Sequence, residues 1–204
     1  MSTQGTLHKK ALQLSYFTLA YGIVECVLSI IFGVFSGSIA LLGFGLDSLV
    51  ESLSAGIMVW RFGKHSNMSE EDEEIIEERA EKFVGYTFLI LGAYILYESL
   101  TKLVKNEIPG HSLVGICIAI ASIITMPFLY YVKNKIGKEI KSKSLIADSK
   151  ETLTCALLSI ALFIGLGANY LFGFWQADPI VGFIIVFFLA KEGIELIKGK
   201  EENP

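Results

Sequence analysis

The sequence predicts an all-α protein, a six-span helical transmembrane bundle with both termini cytoplasmic. Three observations support this prediction. The 204 residues are 52% hydrophobic with a mean hydropathy of +0.55, too apolar for an ordinary soluble domain. The apolar residues fall into six runs, each near the roughly 20 residues that cross a bilayer core as a helix. Lysines and arginines gather in alternate loops, as positive-inside topology requires. The length fits one transmembrane domain over residues 1–204.

The six predicted spans are separated by small, polar or helix-breaking residues. Gly37 lies between the first two runs, and Pro109 and Gly110 lie between the third and fourth. The pair Asp178-Pro179 is typical of a helix start, and Asp178 is expected to cap the sixth span. The predicted spans are residues 12–35, 38–61, 83–105, 112–132, 144–170 and 178–197.

The orientation follows from the basic residues. They lie at the N-terminus, in the linker 63–82, in the tail, and in the loop between spans four and five, which begins at Lys133. Only Lys102 and Lys105 fall on the opposite side. Both termini are therefore predicted to be cytoplasmic. The second span then runs outside to inside, and the fifth runs inside to outside.

The linker 63–82 is strongly charged and cytoplasmic in this topology. Two interpretations are open. The acidic residues between 70 and 81 act as a collector of cations, or the segment is a solvated helical extension of span three. The second interpretation is preferred because charge runs are common on solvated helix faces.

Acidic residues inside two of the spans are the strongest functional signal. A charge within a bilayer costs at least a few kcal/mol, so such residues are functional candidates. Asp47 and Glu51 are four apart on span two, and Glu151 and Cys155 are four apart on span five. This spacing places each pair on one helix face, one turn apart. Because the two spans run in opposite directions, both pairs fall near the bilayer midplane. Face-to-face packing would bring three carboxylates and a thiol together.

These four donors suit a divalent metal. Zinc sites use carboxylate oxygens and cysteine sulfur. Carboxylates alone favour harder ions such as Mn²⁺, whereas a thiolate favours Zn²⁺, Cd²⁺ or Fe²⁺. The sequence indicates no prosthetic group, and it leaves the metal undetermined. The alternative is that the acids pair with each other or with Lys150, or form hydrogen bonds between helices as protonated carboxyls.

Other polar residues near these pairs have two interpretations each. Glu25 is a proton relay or partner of a ligand, or it bonds a neighbouring helix. Asp148 is an entrance residue, or a helix cap that pairs with the lysine-rich loop. Lys150 neutralises a carboxylate, or extends to the cytoplasmic face. Glu192 lies near a span end and is expected to be solvated.

The residues around the acids resemble the cation diffusion facilitator (cation efflux) family. The similarity lies in SGSIALLGFGLDSLVE for the second span, LIADSKETLTC for the fifth and ADPIVGFII for the opening of the sixth. It covers nearly the whole chain in the family's span order. The family's metal positions correspond to Asp47, Glu51, Glu151 and Cys155. The last three depart from the family's usual Asp, His or Asp, and Asp. With no soluble domain expected after span six, the sequence is most similar to a short, membrane-only branch.

The resemblance implies a divalent metal transporter that exports zinc or a similar ion (Mn, Fe, Co or Cd) in exchange for protons. It also implies a homodimer, here expected in the cell (inner) membrane. The alternatives are a non-transporting scaffold or regulatory subunit, and a channel or carrier of another cation. An enzyme is not expected, because the spans contain no histidine and no evident nucleophile–base pair. The net charge of −4 gives no indication of a nucleic-acid partner.

Overall fold

The computed structural model describes residues 3–63 and 70–198, and this part of the chain forms six α-helices and no strands. The all-α, six-helix prediction is confirmed. Residues 64–69 of the predicted linker and the tail 199–204 lie outside the described residues. The helices are α1 Thr3–Ser36, α2 Ile39–Gly63, α3 Glu70–Lys105, α4 Leu113–Glu139, α5 Lys143–Phe172 and α6 Ala177–Lys198.

Five of the described helices, α1 to α5, contain stretches long and apolar enough to cross a membrane. The sixth helix is shorter and less apolar: its 22 residues include Asp178, Lys191, Glu192 and Glu195. At 1.5 Å per residue it is about 33 Å long, which still matches the hydrocarbon thickness. The protein is therefore an integral, multi-pass membrane protein.

The helix ends follow from local chemistry. Gly37 has a φ of 63°, the left-handed conformation that ends many helices and that glycine adopts without steric cost. Ser38, Ser112 and Ser142 each accept a hydrogen bond from the backbone N–H three residues on, at 3.1, 3.1 and 3.3 Å. These serines satisfy N–H groups that the first turns of α2, α4 and α5 would otherwise leave unpaired.

The helices pack as three close antiparallel pairs, α1–α2, α4–α5 and α3–α6. A Cβ built on Gly85 would lie 2.8 Å from the carbonyl oxygen of Gly193, so the backbones of α3 and α6 touch. The helix α2 also contacts α3, α5 and α6, and α5 also contacts α6. The acidic spans α2 and α5 are therefore neighbours near the centre of the bundle.

The loops α1–α2, α3–α4 and α5–α6 meet at one end of the bundle, which we call the outer end. The amide of Gly110 donates to the carbonyl of Ser36 at 2.7 Å, and the side-chain amide of Asn169 donates to the carbonyl of Pro109 at 3.3 Å. Lys102, assigned to the outer side by sequence, donates to the carbonyl of Gly37. The opposite, inner end is the predicted cytoplasmic end.

The expectation that Asp178 caps the sixth span is wrong, because its carboxylate caps α2 instead. It accepts the amides of Ile39 at 2.8 Å and Ala40 at 3.4 Å, and the hydroxyl of Ser38. Lys102 lies 4.0 Å away. Since α2 and α6 both begin at the outer end, the unpaired amides of α2 lie within reach of Asp178. Sequence spacing does not reveal this pairing of helices.

We expect Asp178→Ala to lower the free energy of unfolding by about 1–2 kcal/mol, the usual effect of removing a helix cap. Denaturant unfolding in detergent measures it. Asp178→Asn should lose less because the amide keeps an acceptor oxygen. The matched control is Glu195→Ala, which removes an exposed acid of the same helix. Equal stability of the Asp178→Ala and Glu195→Ala variants would contradict the capping role.

The described part of the charged linker is helical. The helix α3 begins at Glu70, so residues 70–82 extend the third span, as the preferred interpretation predicted. Lys82 forms an exposed ion pair with Glu78 at 2.5 Å, and its hydrogen bond lowers the pKa of that carboxyl.

Candidate metal centre

The inward face of α2 carries the first predicted pair. Asp47 and Glu51 are 4% and 3% exposed, and Ser48 and Ser52 beside them are also buried. The helix lies against α1 on one side and α5 on the other. The acids therefore point into protein, and not into lipid.

The facing stripe on α5 is polar along its length. Asp148, Thr152, Cys155 and Ser159 are all buried, and their spacing of four, three and four residues is that of one helix face. Glu151 lies beside this stripe and is only partly buried.

Three side chains from three helices form the tightest group of metal-type donors in the described residues. Glu25 of α1, Glu51 of α2 and Cys155 of α5 each offer one ligand atom, and these atoms lie within 4.8 Å of one another. In a tetrahedral zinc site, bonds of about 2.0–2.3 Å place ligand atoms roughly 3.3–3.8 Å apart. Small side-chain rotations would close the group around one ion.

Glu25 is held in this group by serines from two other helices. Ser48 of α2 donates to its Oε2 at 2.8 Å, and Ser122 of α4 donates to its Oε1. The thiol of Cys155 faces the same Oε2 at 4.0 Å. Glu25 is thus oriented from the α2 and α4 sides while its carboxylate remains beside Glu51 and Cys155.

Glu51 differs from Glu25 because its oxygens lack such donors. Among the described residues, neither oxygen of Glu51 accepts a hydrogen bond, nor does Oδ2 of Asp47. Buried acceptors without partners are costly, and in native proteins they usually have a specific cause such as an ion. Lys133 acts on Glu51 electrostatically. The unsatisfied oxygens mark the place where a cation would be most stabilising.

Asp47 lies at the edge of this group. It interacts electrostatically with Glu51 and, on the other side, with Glu192 of α6. Glu192 is partly buried. The expectation that Glu192 is solvated near a span end stays a prediction.

Glu151 is not part of the tight group. It lines a cleft at the inner side of the bundle, together with Ser54, Ser144 and Asp148. Of the four predicted ligands, the structure brings Glu51 and Cys155 together with Glu25, with Asp47 nearby and Glu151 on the cleft. The predicted set of Asp47, Glu51, Glu151 and Cys155 stays a prediction about the metal-bound protein.

A buried ion pair lies next to the group of Glu25, Glu51 and Cys155, on the side of the inner end of the bundle. Lys133 of α4 is 2.8 Å from Asp148, and the two side chains are 0% and 1% exposed. Lys133 also donates to the hydroxyl of Thr152 at 2.9 Å, and Ser54 donates to Asp148 at 3.3 Å. The assignment of Lys133 to a cytoplasmic loop is wrong. The helix α4 continues to Glu139, which places Lys133 inside the bundle.

Lys150 does not reach the buried acids. Its side chain is exposed, although it lies between Asp148 and Glu151 in sequence. The lysine that neutralises a buried carboxylate is Lys133, because side chains two residues from the Asp148 position point to another face of α5.

Of the two residues that other helices bring to this site, the sequence indicates Glu25 as a candidate with an open role. Sequence reasoning misses Lys133, because it places this lysine in the loop between spans four and five. A signal for Lys133 does exist in the spacing of the buried positions of α4. These are Gly115, Ile118, Ala119, Ser122, Met126, Leu129, Lys133, Ile136 and Gly137.

The fold and the site together define a class: a multi-pass helical membrane protein with a buried group of carboxylates and a thiol, in which neither oxygen of Glu51 accepts a hydrogen bond from the described residues. The chain belongs to the cation efflux family, because the family's cation efflux transmembrane domain matches residues 15–200.

Individual relatives are similar at lower identity. Transmembrane protein 163 of Xenopus laevis is 25% identical over 93% of this chain and 66% of its own length. Magnetosome protein MamB of Magnetospira sp. (strain QH-2) is 27% identical over 81% of this chain and 58% of its own. An uncharacterized transporter of Methanocaldococcus jannaschii is 24% identical over 83% of this chain and 61% of its own. The chain thus spans about three-fifths to two-thirds of the length of these relatives.

Proposed function

We propose that the protein is a secondary active transporter that exports a divalent transition-metal ion in exchange for protons. The observation that carries the proposal is the buried group of Glu25, Glu51 and Cys155, in which both oxygens of Glu51 lack a hydrogen-bond donor among the described residues. Membership of the cation efflux family supports it, as does the description of one relative as a transporter.

The position of the group favours transport over structural binding. Glu51 lies halfway along α2, so an ion bound there is roughly equidistant from the two membrane faces. A purely structural metal ion could bind near either membrane surface and would not need to lie at this depth. An ion at the midplane can be reached from either side after modest helix movements, which is the geometry that many secondary transporters use.

Proton exchange follows from the ligand chemistry. Carboxylates and thiolates bind either a metal ion or protons, so metal affinity falls as the pH falls. On a more acidic outer side, protons would compete for the oxygens of Glu25 and Glu51 and release the ion. The protonated, neutral group would then return through the bilayer at lower electrostatic cost than an empty, ionised one.

Zinc is the proposed cargo, with Mn²⁺, Fe²⁺, Co²⁺ and Cd²⁺ as competitors. The buried Cys155 supplies the soft donor, and two or three carboxylates supply hard ones. The homodimer and the inner-membrane location implied by the family resemblance stay predictions.

Purified protein in proteoliposomes, with a pH-sensitive dye inside, tests the proposal. We expect Zn²⁺ added outside to drive proton movement in the opposite direction. Zinc transport without proton movement would indicate a channel or a uniporter. An absence of zinc binding in detergent would favour the scaffold, in which the serine bonds to Glu25 act only as links between helices.

Cys155→Asp tests the selectivity. Replacing the thiol by a carboxylate should shift relative affinity from Zn²⁺ and Cd²⁺ toward Mn²⁺, because the donor set becomes entirely oxygen. Calorimetry across the five metals measures the shift. Cys117→Ser, which alters an exposed cysteine, is the matched control. Unchanged selectivity in Cys155→Asp would argue that the thiol does not coordinate.

A further inference from the structure

We propose that the Lys133–Asp148 ion pair is an inner gate. The ammonium of Lys133, held at Asp148, closes the route between the inner cleft and the buried group of Glu25, Glu51 and Cys155. The role of this route in metal transport rests on the proposed function. The closure of the route does not, and the experiment below measures the two separately.

The pair spans the interface between α4 and α5 and is closed to solvent. The ammonium of Lys133 lies 2.8 Å from Asp148, and both side chains are essentially unexposed. Thr152 of α5 accepts a hydrogen bond from the same ammonium at 2.9 Å. Ser54 adds α2 to the contact by donating to Asp148 at 3.3 Å. Three helices therefore meet in one polar layer.

This polar layer lies between two compartments. On its inner side, Ser54 and Asp148 form part of the wall of the cleft, together with Glu151. On its outer side, Thr152 is one turn from Cys155, and Ser54 is one turn from Glu51, on their respective helices. An ion that moves from the cleft to Glu51 and Cys155 must pass the polar layer of Ser54, Thr152, Asp148 and Lys133.

A lysine at this place is suited to exchange with a metal ion. Its ammonium interacts with Asp148 directly and with Glu51 electrostatically, so it partly neutralises acids on both sides of the polar layer. A divalent ion that arrives at Asp148 can displace it, because the stronger charge interacts more favourably with the same carboxylate. The long, flexible side chain of lysine allows the ammonium to move without a change in α4.

The buried Lys–Asp contact at the outer end differs from this pair. Lys102 is 4.0 Å from Asp178, and that carboxylate is already engaged by the backbone amides of Ile39 and Ala40. Its movement would uncap α2. The inner pair is bonded only through side chains in the contacts above, so it can separate without breaking a helix end.

The accessibility of Cys155 tests the gate directly. In a Cys26→Ala, Cys117→Ser background, Cys155 is the only thiol. A membrane-impermeant cationic methanethiosulfonate reagent, applied from the inner side of membrane vesicles, should modify it slowly. In the same background, Lys133→Ala with Asp148→Ala should react faster by at least about tenfold, which corresponds to about 1.4 kcal/mol of barrier.

Three further variants define the outcome. The reversed pair, Lys133→Asp with Asp148→Lys, should stay slow. Lys133→Gln with Asp148→Asn should be intermediate, and it serves as the test if the double alanine variant does not fold. Lys135→Ala, which removes an exposed lysine two residues away, is the matched control and should stay slow.

An unchanged rate in both neutral double variants would overturn the gate, as would fast modification of the parent. Zinc binding and transport are measured on the same preparations. If zinc fails to bind while the rates change as expected, the proposed function fails and the gate stands. If zinc is transported while the rates do not change, the gate alone fails.

Discussion

Glu51→Gln is expected to weaken zinc binding by at least about 100-fold, or about 2.7 kcal/mol. Both oxygens of Glu51 are buried and accept no hydrogen bond within the described residues, so its charge is free to bind a cation. Glutamine keeps the shape and removes the charge. Competition against a fluorescent zinc chelator in detergent measures the affinity.

The same substitution should leave folding intact. Removing an unpaired buried charge relieves a desolvation penalty, so the free energy of unfolding should be unchanged or higher. Loss of binding together with a lower unfolding midpoint would contradict a direct role. Glu78→Gln, in the exposed extension of α3, is the matched control and should bind zinc normally.

A comparison of two further variants decides which acid joins Glu51 and Cys155. Glu25→Gln should lose more affinity than Glu151→Gln if the arrangement of the structure persists in the metal-bound protein. The opposite order would support the ligand set that the family resemblance implies. It would also mean that α5 moves or rotates to bring Glu151 inward when the ion binds.

Lys133→Met is expected to lower the free energy of unfolding by about 3 kcal/mol or more, because removal of one partner leaves a buried charge uncompensated. Asp148 would be that charge, since its side chain is 1% exposed. Chemical unfolding in detergent measures the loss. Lys135→Met, at an exposed position of the same helix, should change stability by less than about 0.5 kcal/mol.

The double variant Lys133→Met with Asp148→Leu should recover most of that stability. Replacing a whole buried pair by apolar residues of similar volume is often neutral or stabilising. The double-mutant cycle then gives the coupling between the two side chains. Additive losses would show that the 2.8 Å contact contributes little, and that Lys133 stabilises α4 for another reason.

Much of this architecture was predictable because it depends on local properties. Hydropathy runs predict all six helices, and several of their limits follow from Gly37 and from capping serines. The spacing of Asp47 and Glu51 placed both on one buried face. Helical periodicity is a property of one helix, so it can be recognised in the sequence without information about the neighbouring helices.

Contacts between helices were harder to predict. Asp178 caps α2 and not its own helix, because two helix starts meet at the outer end. Positive-inside counting assigns a lysine near a span end to solvent, so the sequence places Lys133 in a loop. The buried stripe of α4 places it in the core instead. In both cases the partner lies on another helix.

The acids in α2 and α5 can be identified from the sequence alone, because they lie within apolar spans, and any ionised carboxylate there must face protein or water. The residues that lie next to these acids depend on how the helices pack. The position of α1 brings Glu25 to Glu51 and Cys155, and the rotation of α5 turns Glu151 to the cleft. The residue types in the sequence thus indicate the chemistry of a candidate cation site. Which residues form the site depends on which helices touch and on how each helix is turned about its axis.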